Sequence, residues 1–325
     1  MKRRALLAAS GALLAFSAIR SFAQSTQLRR IALVHPGTQA GYQRDFDAFR
    51  TVLKELGYVE GENISIEARW AEGKIERLDS LAAEMVALNP AVIITGSSSG
   101  VVACRKATSS IPIVFATAAD PVEQGFVSSL RRPGGNVTGI AVHRGLNQKI
   151  VEVAREALPA TRRLAIMVDD KEPFHKTVLK EFETGTRRFN IEPVIVRISR
   201  ADELDRAFNE IAKSRADALV VPNLTLLTSL RQQLAERTRK ARLPLFSTNP
   251  YVAEAGGLLS YGTSTDENWR RAAVQIDKIL RGAKPADLPV EEPERIQLIV
   301  NMKTAKAIGV NLSPTTLLRA TRVIE

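Results

Sequence analysis

The sequence predicts an α/β protein built as two doubly wound lobes joined by a hinge, and three observations carry that expectation. From Leu28 onward short apolar runs alternate with amphipathic stretches, the pattern of βαβ units feeding a parallel sheet. The alternation comes in two successive series, which implies two lobes. The chain has 325 residues, 45% of them hydrophobic and 25% charged, enough apolar material for a core in each lobe.

The first 23 residues are read apart from the fold. Lys2-Arg3-Arg4 is a basic start, Ala5–Ile19 is an uncharged and mostly apolar run, and Ser21-Phe22-Ala23 offers small residues at a cleavage site. This is the composition of a secretory signal peptide, and its apolar run is shorter than the ~20 residues of a spanning helix. Residues 1–23 are therefore expected to be removed on export; the basic pair leaves both the general and the twin-arginine route open. Cys104 is the single cysteine. It lies far from the cleavage site, so lipid anchoring there is not expected, and one thiol forms no internal disulfide. On a helix it reads as a small apolar filler.

In the first series, Arg29–Val34, Ile64–Glu67, Val92–Thr95, Ile113–Phe115 and Val137–Ala141 read as strands. Tyr42–Leu56, Lys74–Leu88, Ser98–Thr108 and Pro121–Arg131 read as the helices among them. A boundary falls near Val142–Arg144, where no flexible linker composition appears. The second series sets strands near Leu164–Val168, Pro193–Ile198, Ala218–Val221 and Leu243–Phe246 between helices near Pro173–Phe189, Ala201–Lys213 and Leu226–Ala241. Leu258–Tyr261 then reads as a strand, Thr265–Leu280 as an amphipathic helix, Pro285–Pro293 as a connection and Leu298–Val300 as a last strand. The expected organisation is 24–142 with 258–285 in the N-terminal lobe, and 143–257 with 286–325 in the C-terminal lobe.

Several separated stretches also carry a family resemblance: LKELGYVEGENISIEARWAEGKIERL (Leu53–Leu78), PIVFATAADPVEQGFVSSLRRPGGNVTG (Pro112–Gly139), GGLLSYGTSTDENWRRAAVQIDKILRGAKPADLPVEEP (Gly256–Pro293), LIVNMKTAKAIGV (Leu298–Val310) and SPTTLLRATRVIE (Ser313–Glu325). In this order they resemble the substrate-binding component of ABC transporters, in the tryptophan/tyrosine-type family. The resemblance implies a type I periplasmic-binding fold of two Rossmann-like lobes. It also implies a soluble periplasmic monomer that closes on a small ligand, an amino acid or another small carboxylate, and hands it to an inner-membrane permease. The return of the late strand and helix to the first lobe is likewise implied by the resemblance.

Ligands of open α/β sheets bind beyond the carboxyl ends of the strands, which selects the candidate residues. Gly96-Ser97-Ser98-Ser99-Gly100 follows a strand and opens a helix, so unpaired amides and hydroxyls converge where a carboxylate would be welcome. An N-cap serine with ordinary neighbours is the plainer reading. Other strand ends add His35, Thr38, Thr117 and Asp120 from the first lobe, and Asp169, Asn223, Asn249 and Tyr251 from the second. Each has a structural alternative. Asp120-Pro121 is a helix cap, Asn249-Pro250 a turn opener and His35-Pro36-Gly37 a tight turn. Asp169-Asp170 could receive a ligand ammonium group or sit in a solvated loop.

The same pentapeptide matches the G-x-S-x-G elbow of α/β-hydrolases with Ser98 as nucleophile, which would need Asp120, Asp169 or Asp170 with His143 or His175 as partners. A secreted hydrolase is therefore the rival reading, and an extracellular ligand-sensing module a third. Three scattered histidines and one cysteine make no metal-ligand spacing, and no G-x-G-x-x-G follows a strand. Neither metal nor cofactor is expected. The formal charge is +11, but Lys2, Arg3, Arg4 and Arg20 belong to the leader and the rest alternate in sign along helices, so nucleic acid is not expected as a partner.

Overall fold

The computed structural model describes residues 28–293 and 295–325. The signal-peptide reading concerns residues outside that range. In the first lobe the chain runs β1 (Arg29–His35), α1 (Gln39–Glu55), β2 (Ile64–Trp70), α2 (Leu78–Ala87), β3 (Val92–Thr95), α3 (Ser98–Ala107), β4 (Ile113–Ala118) and β5 (Val137–Ala141). The strands form one parallel sheet in the order β2-β1-β3-β4-β5. Both faces are covered: Phe46, Phe49 and Trp269 pack among the buried side chains of one, Met85, Val101 and Phe126 among those of the other. Double covering is why β3 and β5 are buried at every residue, as continuous apolar strands require.

The second lobe opens with α4 (Leu146–Ala157), β6 (Arg163–Asp169), α5 (His175–Arg188), β7 (Glu192–Ile198), α6 (Leu204–Ser214) and β8 (Ala218–Val221). It continues with α7 (Thr225–Ser229), α8 (Arg231–Lys240), β9 (Leu245–Ser247), α9 (Pro250–Glu254) and β10 (Leu259–Thr263). After α10 (Thr265–Leu280) come β11 (Ile296–Asn301), α11 (Met302–Ile308), α12 (Pro314–Arg319) and β12 (Arg322–Ile324). Its sheet has the order β12-β11-β10-β9-β8-β6-β7, with β11 antiparallel to β10.

Several expectations need correction. The sequence assigns 258–285 to the first lobe, but the structure splits that segment: β10 hydrogen-bonds between β9 and β11 in the second sheet, while α10 buries Trp269, Ala272, Ala273 and Ile276 against the first. Residues 289–291 also stay with the first lobe, where the Ala141 amide donates to the Glu291 carbonyl at 2.8 Å and the Val290 amide to that of Leu130 at 2.7 Å. The chain thus crosses between lobes three times, after β5, at Ser264 and just before β11. Pro121–Arg131 is a set of turns and not a helix: the Phe126 and Val127 amides both return to the Pro121 carbonyl, and Gly125 takes φ 66°, a left-handed position that stops a helix. Helix α4, amphipathic through Leu146, Ile150, Val151 and Ala154, is absent from the sequence reading. Leu226–Ala241 is two helices broken at Leu230, and β12 follows β11.

Candidate functional site

The order of strands decides where the chain can build a site. In the first sheet the winding reverses between β1 and β3, and in the second between β6 and β8. At such switch points the following loops turn away from each other and leave a crevice. The two crevices face one another across a cavity of about 110 Å³. Its first-lobe wall includes Gly96, Ser97, Ser98, Thr117, Asp120 and Trp269; its second-lobe wall includes Glu172, Phe174, Asn223, Thr225 and Thr248.

On the first wall, Ser97 caps α3, its hydroxyl accepting the Gly100 amide at 3.0 Å and lying 3.1 Å from the Ser99 hydroxyl. Ser98 Oγ accepts the Ala119 amide at 3.3 Å, so its proton is free to be donated. The Ser98 and Ser99 amides, in the first turn of α3, precede any intrahelical acceptor. Ser99 is buried beside its two neighbours. The backbone can lie this close because residue 96 is glycine: a Cβ there would stand 2.5 Å from His35 Nε2 and 2.6 Å from Trp269 Cζ2. Asp120 sits at φ 39°, an uncommon position for a non-glycine residue, and is paired with Arg144 from the hinge.

Other predicted residues support the wall from behind. His35 is fully buried, its ring tilted against those of Tyr42 and Trp269 with centroids 4.1 Å and 5.9 Å away. Its Nδ1 accepts the Gly37 amide at 2.9 Å, so the ring proton belongs on Nε2. Burial holds its pKa down at about 3, and the ring is neutral. Thr38 caps α1 through the Gly41 amide at 3.0 Å. Thr117 alone among the remaining first-lobe candidates reaches the cavity directly.

In the second lobe Asn223 lines the cavity and its Oδ1 accepts from Asn249 Nδ2 at 2.9 Å and from the Thr228 hydroxyl at 3.2 Å. Asn249 is buried behind it and caps α9, accepting the Tyr251 amide at 2.9 Å. Tyr251 lies away from the cavity, at the rim of the lobe interface, where its hydroxyl donates to Asp45 Oδ1 at 2.7 Å. Asp169 is buried and turned back on its own loop, accepting the Lys171 amide at 3.0 Å; burial raises its pKa to about 6. The acid of this loop that does line the cavity is Glu172. Sequence reasoning missed it, although it stands three residues beyond the same strand end. Trp269 and Tyr42 were missed for a different cause: they stand in the second turns of α10 and α1 or close to them, past the strand-end loops, and each reaches the cavity from the body of its helix.

The lobes are closed on the cavity. Tyr251–Asp45, Arg44–Glu254 at 2.9 Å and the edge-on pair Phe126–Phe174, 6.0 Å between ring centres, all span the two lobes. The hydrolase geometry is not what these residues form. Ser98 opens α3 in helical conformation, and the hydrogen-bond partner of its Oγ is an amide donor where a nucleophile needs a base. Among the described residues no group of His, Cys, Asp and Glu gathers as a metal site, and no helix is long and apolar enough to cross a membrane.

Residues 31–324 match the family described as ABC transporter substrate binding protein. The chain is 26% identical over 260 residues to the tyrosine-binding protein of Clostridioides difficile (strain R20291), covering 80% of this chain and 75% of that one. Among solved structures, the ABC domain of Streptococcus pneumoniae in complex with L-Trp superposes with a TM-score of 0.84 at 22% identity, over 91% of this chain and 100% of that chain. A conserved domain protein of Vibrio cholerae O1 biovar eltor gives 0.85 at 24% identity with the same coverage. Fold, closed inter-lobe cavity and family match agree, and the chain belongs to the ABC transporter substrate-binding proteins.

Proposed function

We propose that this protein captures a small carboxylate-bearing ligand, an amino acid or an aromatic acid, between its lobes in the periplasm and delivers it as a monomer to a membrane permease. The observation that carries this reading is the first wall of the cavity. The start of α3 offers unpaired amides, a free hydroxyl proton on Ser98 and the positive end of the helix dipole to one small volume. Tyr42, Phe174 and Trp269 border the same volume and supply apolar faces for a ring. The tyrosine-binding relative and the L-Trp complex of a structural neighbour support the same ligand class. Closure over the ligand buries it and forms a surface across both lobes that the open protein lacks, the kind of difference a permease can read.

A thermal-shift screen of residues 24–325 against amino acids and small aromatic and aliphatic carboxylates tests the proposal, because a ligand that binds only the folded state raises Tm by mass action. L-Tyrosine or L-tryptophan is expected to raise Tm and to be recovered unchanged. Ser98→Ala is expected to weaken that binding about 10- to 150-fold, as loss of a hydrogen bond to a charged group does. Conversion of the compound, or a panel without any shift, would overturn the reading.

A further inference from the structure

We propose that Glu172 reads the ammonium group of the ligand, so that the cavity selects zwitterionic amino acids over carboxylates of the same shape that lack the amine. This rests on the carboxylate reading of the α3 wall and names what the opposite wall adds to it.

Glu172 is 4% exposed, lies in the loop between β6 and α5, and lines the cavity. Its Oε2 is buried with no hydrogen-bond partner. Other acids around the cavity are already engaged: Asp120 is paired with Arg144, and Glu181 accepts from Asn147 Nδ2 at 2.7 Å. Asp169, just behind, is occupied by the Lys171 amide. His175 approaches with Nδ1 at 2.8 Å from the Glu172 backbone carbonyl, not its carboxylate, and His143 lines the cavity from the hinge. No cation among the described residues is paired with Glu172, whereas the Asp169 carboxylate repels its charge and the Ser99 hydroxyl, reaching from the first lobe, favours it.

A buried carboxylate without a cation is costly and persists only with a proton or with a charged partner. Burial and Asp169 raise the Glu172 pKa to about 8, so without a cation beside it Glu172 holds its proton at neutral pH. An arriving ammonium supplies the missing charge. The proton then leaves Glu172 for solvent, and the carboxylate pairs with the ammonium while the ligand carboxylate meets the start of α3. Each lobe reads one pole of the zwitterion, so the ligand itself holds the lobes together.

Calorimetry on the wild-type protein and Glu172→Gln tests this with two matched pairs: L-tyrosine against 3-(4-hydroxyphenyl)propionate, and L-tryptophan against indole-3-propionate. The wild type is expected to bind the amino acid of at least one pair about 10- to 100-fold more tightly than its des-amino partner, and Glu172→Gln to remove most of that preference while leaving the des-amino acid nearly unchanged. Repeating the titration in buffers of different ionisation enthalpy should show release approaching one proton per amino acid, absent in Glu172→Gln. The substitution copies the protonated side chain, and an unchanged Tm at low pH confirms that it folds. Equal binding of both members of a pair by the wild type, or a preference that survives Glu172→Gln, would overturn the inference and leave the carboxylate reading intact. If neither member of either pair binds the wild type, the carboxylate reading falls and this inference with it.

Discussion

The two walls of the cavity are made of opposite materials. The first lobe contributes donors held by covalent geometry: helix-start amides, Ser98 and the glycine backbone pressed on His35 and Trp269. The second lobe contributes an acid and a side-chain network, Glu172 beside Asn223, Asn249 and Thr228. The first wall needs no proton adjustment to receive an anion; the second carries a group whose charge depends on whether something cationic has arrived. The contrast teaches that affinity is divided between a preorganised pole and a responsive one, and that pH should act on only one of them.

The largest effects probe whether the lobes are as independent as their separate cores suggest. Trp269 in the first lobe and Phe182 in the second are both fully buried, and truncation of either to Ala is expected to cost about 3–5 kcal/mol. Calorimetric unfolding should lower a first-lobe transition for Trp269→Ala and a second-lobe transition for Phe182→Ala. A single shifted transition in both variants would show that the three crossings and the closed interface couple the lobes into one unit.

Next in size is pH. Glu172 has its folded pKa raised from 4.5 to about 8, so the stability it contributes is complete below about pH 4.5 and is lost as pH rises toward 8. The ligand-free protein should therefore lose stability across that window, on the order of a few kcal/mol from this group. Asp45 and Asp169, both raised to about 6 by burial, act in the same direction over its lower part. Glu172→Gln should flatten the upper part of the Tm profile, whereas Ser98→Ala in the facing wall should leave its shape alone; identical profiles for wild type and Glu172→Gln would remove the asymmetry between the walls.

Smaller effects concern closure. Tyr251→Phe deletes the inter-lobe hydrogen bond to Asp45 and should weaken binding of every ligand by a similar factor, about 0.5–1.5 kcal/mol, because it acts on the closed state and not on ligand chemistry. Arg44→Ala breaks the rim pairs with Glu254 and Asp266, where the arginine side chain is 54% exposed. That change should cost below about 1 kcal/mol and fade with added salt. Calorimetry at two salt concentrations separates the variants; a ligand-selective effect of Tyr251→Phe would place that rim within the recognition site.

Most of the site on the first lobe was legible, because strand, turn and helix start are consecutive there and Gly96–Gly100 declares itself locally. Ser97, Ser98, Thr117, Asp120 and Asn223 all stand at the cavity. Thr38 and Asn249 show the other outcome, since residue types that suit a ligand also suit a helix cap, and the cap is what both form. Asp169 was chosen as the acid of its loop because it directly ends a strand; which acid of Asp169, Asp170 and Glu172 turns inward depends on loop conformation, to which composition is blind.

Alternation of short apolar runs with amphipathic stretches was sufficient to determine the α/β class, the two lobes and most strands, because burial of a parallel sheet on both faces leaves its mark residue by residue. Helix start chemistry likewise needed only neighbouring residues. Tertiary structure decided that β10 joins the second sheet while α10 covers the first, that Trp269 closes the cavity, and that Glu172 has no cation paired with it among the described residues. Each of those depends on which distant segment arrives beside the residue, and a contact of that kind has no local periodicity from which to be read.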